Sequence, residues 1–168
     1  MKTEMELHGI DGVLMMLQQM PPEIVSKRGG PVRAALRKAA VVIHKQELAN
    51  LAAATANATT EERRTTSGLL SKNVVVTRGK EPTGTKGERY IVRVRRKAYP
   101  GRDGSPTSTL QSAQLLEYGS SQQPAEPWIR PAFESKAREA IATAEVEIVK
   151  AVERAAKKYL KMTKTKAA

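Results

Sequence analysis

Cysteine is absent from the 168-residue chain. That excludes a disulfide framework, a thiolate metal site and a cysteine nucleophile, and it suits a protein that matures in reducing cytoplasm. Large aromatics are scarce as well, with one Trp, one Phe and four Tyr, and the 40% apolar share leans on alanine. The expected core is therefore thin, and oligomerisation is the natural supplement. Only two histidines are present, His8 in an expected strand and His44 in an expected helix, and neither has a partner at motif spacing. General-base and metal-ligand roles thereby lose their commonest residue. HExxH, Walker and GxSxG motifs are missing, and Gly29-Gly30 and Gly84 to Gly87 lack the lysine and hydroxyl spacing of a phosphate cradle. The expectation is a protein that is not an enzyme and takes no cofactor or metal. No run reaches the roughly 18 apolar residues of a membrane span. The segment Met1 to Met20 is broken by Glu4, Glu6, His8 and Asp11, unlike a signal peptide. A soluble protein with no membrane partner is expected.

What is plentiful is positive charge, with a formal net charge of +12 and a pI near 10.1. Such a field favours nucleic acid or an acidic protein face as neighbour, and constrains partners rather than fold. The charge is uneven: nine basic residues stand between Arg78 and Arg102 against Glu81 and Glu88, and five lysines with no acid follow from Lys157. No helix-turn-helix, zinc-finger or basic-zipper signature accompanies it, so any DNA contact is expected to be sequence-nonspecific. Lys157 to Lys166 either anchors to phosphate or keeps a solvated tail extended.

The pattern predicts a short strand over Met1 to Gly9, then a short helix capped by Asp11 and stopped by Pro21-Pro22. Met15, Met16 and Met20 beside Leu14 and Leu17 make a soft apolar stripe suited to a core or a subunit contact. A long helix is expected from about Pro31 to Ala54, with Val32, Leu36, Ala39, Ile43 and Leu51 on its apolar face. Arg33, Arg37, Lys38 and Lys45 fall mainly off that face, as a solvated basic side or a nucleic-acid contact. Thr55 to Thr66 has linker composition. Val74 to Thr77 and Tyr90 to Arg96 read as antiparallel strands, and Gln114 to Tyr118 as a last short strand. The connections Arg78 to Arg89 and Pro100 to Thr109 are long, polar and glycine-containing, which marks Arg78, Lys80, Lys86, Arg89 and Arg102 as candidate interface residues. From Ala132 onward, Phe133, Ala137, Ile141, Ala144, Ile148, Val152, Ala155 and Tyr159 keep a helical period for about eight turns. Glu145, Glu147 and Glu153 among Lys150, Arg154, Lys157 and Lys158 read as solvated helix pairing.

These elements predict an α+β fold: a small, mostly antiparallel sheet packed against a long helix in the N-terminal half and a long C-terminal helix. One domain is expected over residues 1–161, followed by a basic flexible tail over 162–168.

Between the last expected strand and the last helix stands Leu116-Glu117-Tyr118-Gly119-Ser120, followed by Pro124-Ala125-Glu126-Pro127-Trp128-Ile129-Arg130-Pro131-Ala132-Phe133. Gly119 is suited to positive φ, Pro127 stiffens the approach, Trp128 supplies an anchor, and Pro131 fits the first helical turn. Arg130 is placed to pair with Glu117 or Glu126. The group Glu117, Gly119, Pro127, Trp128, Arg130 and Pro131 thus reads as a fold-defining corner, from which Trp128 and Arg130 either complete the fold or reach a neighbouring subunit.

This stretch resembles a phage signature: an acid, an aromatic, Gly-Thr or Gly-Ser, then a Pro-aromatic-x-Arg-Pro-Ala run opening the final helix. The family is the tail-component group of phage neck and tail-completion proteins typified by gene product ten of a lambdoid coliphage. Upstream, Ser67-Gly68-Leu69-Leu70 with Asn73-Val74 is similar to the family's Thr-Gly-x-Leu segment, with Ser67 and Asn73 departing from its usual Thr and Ser. Gly9-Ile10-Asp11 resembles its opening segment, and the order of elements matches over most of the chain. Glu81 to Gly87 and Arg102 to Thr109 look like insertions of this member. The resemblance implies a structural virion protein at the head–tail junction, present in host cytoplasm during assembly. It implies a homo-oligomeric ring, six-fold in expectation, docked to a tail terminator or tube protein on one side and a head-connector protein on the other, near genomic DNA. The alternative is a sequence-nonspecific DNA-binding protein, suggested by the pI and the lysine-rich end.

Overall fold

The computed structural model describes residues 30–56, 68–80, 88–99 and 107–166. The strand expected over Met1 to Gly9, the helix after Asp11, most of the Thr55 to Thr66 linker, and Lys86 and Arg102 lie outside the described residues.

Helix α1 spans Gly30–Ala56. Proline at its second residue costs no hydrogen bond there, and the alanine-rich stretch that follows favours helix. Its buried residues are Ala35, Ala39, Ala40, Glu47 and Leu51; of the expected face only Ala39 and Leu51 are among them, while Val32, Leu36 and Ile43 are half-buried. The reason is that α1 packs on the strands on one side and on the C-terminal helix on the other. The short helix α2, Leu69–Asn73, is entered through Gly68 at φ 65°, and its Asn73 amide closes on the Leu69 carbonyl at 2.8 Å.

Strand β1, Val74–Arg78, pairs antiparallel with β2, Tyr90–Val94, in a two-stranded sheet. The register sets Val74 opposite Val94, Val76 opposite Val92, and Arg78 opposite Tyr90, so these six side chains share one face. Contacts run from α1 to both strands. His44, for which the sequence offered no partner, meets the Val74 carbonyl at 2.9 Å and ties α1 to the start of β1.

Gln114 to Tyr118 is not a strand. It forms the end of helix α3, Thr109–Tyr118, so the expected loop also ends earlier than Thr109. Ser108 caps the helix by accepting from the Gln111 amide at 3.4 Å. Thr109 is fully buried: its hydroxyl donates to the Arg95 carbonyl and accepts from the Lys97 amide at 2.9 Å. An isolated bridge between Ala98 and Ser108 holds the same junction. With a cap in place, Ala113 and Glu117 turn inward four residues apart, a helical repeat that the short run Gln114 to Tyr118 is too brief to display.

Helix α4 spans Ile129–Lys166. It starts three residues before Ala132 and continues through the segment expected as a tail from Met162, since no Gly or Pro follows Pro131 to stop it. The helices α1 and α4 pack antiparallel: Asn50 near the end of α1 donates to the Trp128 carbonyl at 3.1 Å, while Lys38 near its start pairs with Glu147. Glu147 also stands 3.9 Å from Lys150 and Arg154, so its pairing is interhelical as well as local. The fold is α+β, with a small antiparallel sheet and long helices in the N-terminal half and at the C-terminus. Among the described residues its central cluster is Leu51, Leu70, Val74, Ala113 and Trp128, with Leu48, Val92, Val94, Leu116 and Ile129 packed around.

Candidate functional site

The turn from α3 into α4 brings together the residues expected to form a corner. Glu117 is 2% exposed, yet it carries a carboxylate. Its Oε2 accepts from the amides of Trp128 and Ile129, both at 2.8 Å, and its Oε1 from the Arg130 amide at 3.2 Å and Nε at 3.0 Å. The orphan N–H groups opening α4 are thus satisfied by an acid from another helix, at the positive end of the α4 dipole. Burial works to raise the Glu117 pKa, but the Ile129 and Trp128 amides and the Arg130 donors outweigh it and hold the carboxyl below its ordinary range.

Gly119 makes the reversal possible. It sits at φ 74° and ψ −173°, a combination reserved for glycine, and its N–H reaches the Leu115 carbonyl at 2.8 Å. A Cβ there would stand 2.8 Å from the Ala125 nitrogen and 2.9 Å from the Gln123 oxygen. Ser120 organises the loop by accepting from the Gln122 and Gln123 amides at 3.2 and 3.1 Å, and Glu126 N–H closes on the Leu116 carbonyl at 2.8 Å. Pro127 is exposed, and Pro131 occupies the third residue of α4, in the first turn.

Trp128 and Arg130, left open by the sequence, separate here. Trp128 has no exposed surface and anchors the core, so it is not available to a neighbouring subunit; its indole N–H meets no acceptor among the described residues. The Arg130 side chain is 62% exposed, pairs with Glu117, and stands 5.3 Å over the Tyr118 ring. Tyr118 and Phe133 flank it as exposed aromatics, at 69% and 50%.

At the hairpin, Arg78 forms a two-pronged pair with Glu88 at 2.6 and 2.7 Å, and Gly79 N–H donates to the Arg89 carbonyl at 2.8 Å. Arg78, Lys80 and Arg89 therefore gather at the mouth of the connection. Arg33 and Arg37 join Arg78 and Tyr90 around an open hollow of about 450 Å³, where Arg33 Nε donates to the Tyr90 hydroxyl at 3.1 Å.

Sequence reasoning missed Glu47. This α1 residue is 5% exposed, and burial, reinforced by the nearby Glu117 charge, pushes its carboxyl up to about 7. Its sequence signal was slight: an acid one turn from Ile43 and Leu51 along the apolar face. Among the described residues no cluster of three acids or histidines is placed to hold a metal ion, and no helix is long and apolar enough to cross a membrane. Comparison with protein-family models, curated proteins and solved structures finds no match.

Proposed function

We propose that this chain is a structural protein of a tailed-phage virion, acting at the head–tail junction by assembling into a ring and docking to connector and tail proteins. The observation that carries the reading is the Leu116 to Phe133 stretch. The residues of the resemblance, Glu117, Gly119, Trp128, Arg130 and Pro131, sit together in one corner, each with a definite part in joining α3 to α4. Exposed Tyr118, Phe133, Leu110, Leu115 and Val146 leave apolar surface for neighbours. The role is docking rather than catalysis, in the host cytoplasm during assembly and then in the virion.

The test is to add the purified protein to filled heads and tails that lack it, then image and count joined particles. Collars at tail ends with restored joining are the expected result. Protein that ignores both heads and tails overturns the reading.

One observation favours a second reading, sequence-nonspecific DNA binding: the hollow where Arg33, Arg37 and Arg78 stand around Tyr90. A steep loss of DNA affinity with added salt, reduced by charge-removing changes at Arg33 and Arg37, is its signature. The same surface serves the first reading if it faces DNA passing through the junction.

A further inference from the structure

Between the start of α4 and strand β2, floored by α1, lies a groove of about 470 Å³. Ala40, Ile43, Val92, Ile129 and Phe133 give it apolar walls, and Phe133 is an aromatic left half-exposed. Glu47 lines it: it is more than nine-tenths buried, and among the described residues it has no hydrogen-bond or ion-pair partner. An unpaired buried acid in an apolar groove is costly by itself, and the cost is relieved by a cation carried on an apolar stem.

The other end of the molecule offers such a group. Since Lys38 pairs with Glu147 in the antiparallel packing, the start of α1 lies level with about residue 155 of α4. Helix α4 runs on to Lys166, outreaching α1 by roughly 16 Å. That projecting stretch, Lys157-Lys158-Tyr159-Leu160-Lys161-Met162, combines cations with apolar residues and has no acid. It lies about 40 Å along α4 from the groove, so a protomer cannot fill its own groove with it.

We propose that the projecting end of α4 of a second copy docks in the Glu47 groove, with a lysine paired to Glu47 and apolar residues against Phe133 and Ile43. The contact is heterologous, joining unlike patches on successive copies, so it builds rings or filaments rather than two-fold dimers. It gives the ring proposed above its lateral joint, and rests on that reading only for ring closure. Around Glu47 stand Glu117 from α3, Arg130 and Glu134 from α4, and Arg89 and Tyr90 at β2. Because the Glu47 carboxyl titrates near 7 when unpaired, the joint strengthens as pH rises from about 6 to 8.

The experiment is native mass spectrometry and sedimentation velocity on the full chain, on Glu47→Gln, and on the triple variant Lys157→Glu, Lys158→Glu, Lys161→Glu. The wild type is expected to form higher oligomers, and either variant to weaken association about tenfold or more. Circular dichroism verifies that both remain folded. Mixing the two variants leaves one intact groove and one intact α4 end, so a heterodimer that grows no further is the specific result. A wild type that stays monomeric, with the groove covered by its own first 29 residues in hydrogen exchange, overturns the proposal. Oligomers unchanged in both variants do so as well. Joining of heads to tails is scored separately, so a failed joint and a failed junction role are told apart.

Discussion

Two carboxylates in neighbouring positions show how environment sets the behaviour of one chemical group. Glu117 receives four donors and is held ionised, so its stabilisation is present at neutral pH and is lost as pH falls through its lowered pKa. Glu47 behaves oppositely. Below its ordinary value of 4.5 it is neutral in folded and unfolded chains alike; between there and about 7 only the unfolded chain ionises, so stability falls as pH rises. In urea melts of the monomer, Glu47→Gln is expected to remove this loss and to stabilise by roughly 1–3 kcal/mol at pH 8, with little effect at pH 4. Gly119 is the third decisive residue. Gly119→Ala forces a side chain into glycine-only backbone space and against Ala125 and Gln123, so a loss of about 2–4 kcal/mol is expected in the same melts. A value under 0.5 kcal/mol would show that the corner relaxes freely.

At the scale of elements, the long helices owe their contact to small residues. Ala35, Ala39 and Ala40 of α1 and Ala132 and Ala140 of α4 are buried, and alanine lets helices approach closely. Ala140→Leu inserts volume into that packing and is expected to cost about 1–3 kcal/mol, read as a lower denaturant midpoint; Glu139→Leu, at the adjacent exposed position, should cost far less. The same elements show what periodicity reveals. The long repeats of α1 and α4 were legible because many turns repeat one pattern, and the alternation Tyr90 to Arg95 was legible because β2 has one face on α1. Helix α3 was not, since its first residue, Thr109, is held in place by Lys97 and Arg95, more than ten residues away in sequence.

For the whole molecule, the proposed role places function in surfaces rather than in a pocket of reactive groups. The hairpin mouth with Arg78, Lys80 and Arg89 and the groove at Glu47 flank the same strand, β2. Replacing Glu81 to Gly87 by a two-residue Asn-Gly turn is expected to preserve thermal stability while cutting head–tail joining at least tenfold. Unchanged joining would remove that connection from the interface. The corner residues Glu117, Gly119, Trp128 and Arg130 could be grouped from sequence because they stand within 14 positions of one another, although Glu117 was expected in a strand and lies in α3. Composition and local order alone determined the positive charge, the two long helices, the paired strands and the grouping of these corner residues, because each depends on residues near in the chain. Tertiary structure alone decided that Trp128 is core and Arg130 surface, that His44 serves β1, and that Glu47 lines a groove with no partner among the described residues. Those outcomes depend on which helix face meets which neighbour, and burial and pKa are set by atoms distant in sequence.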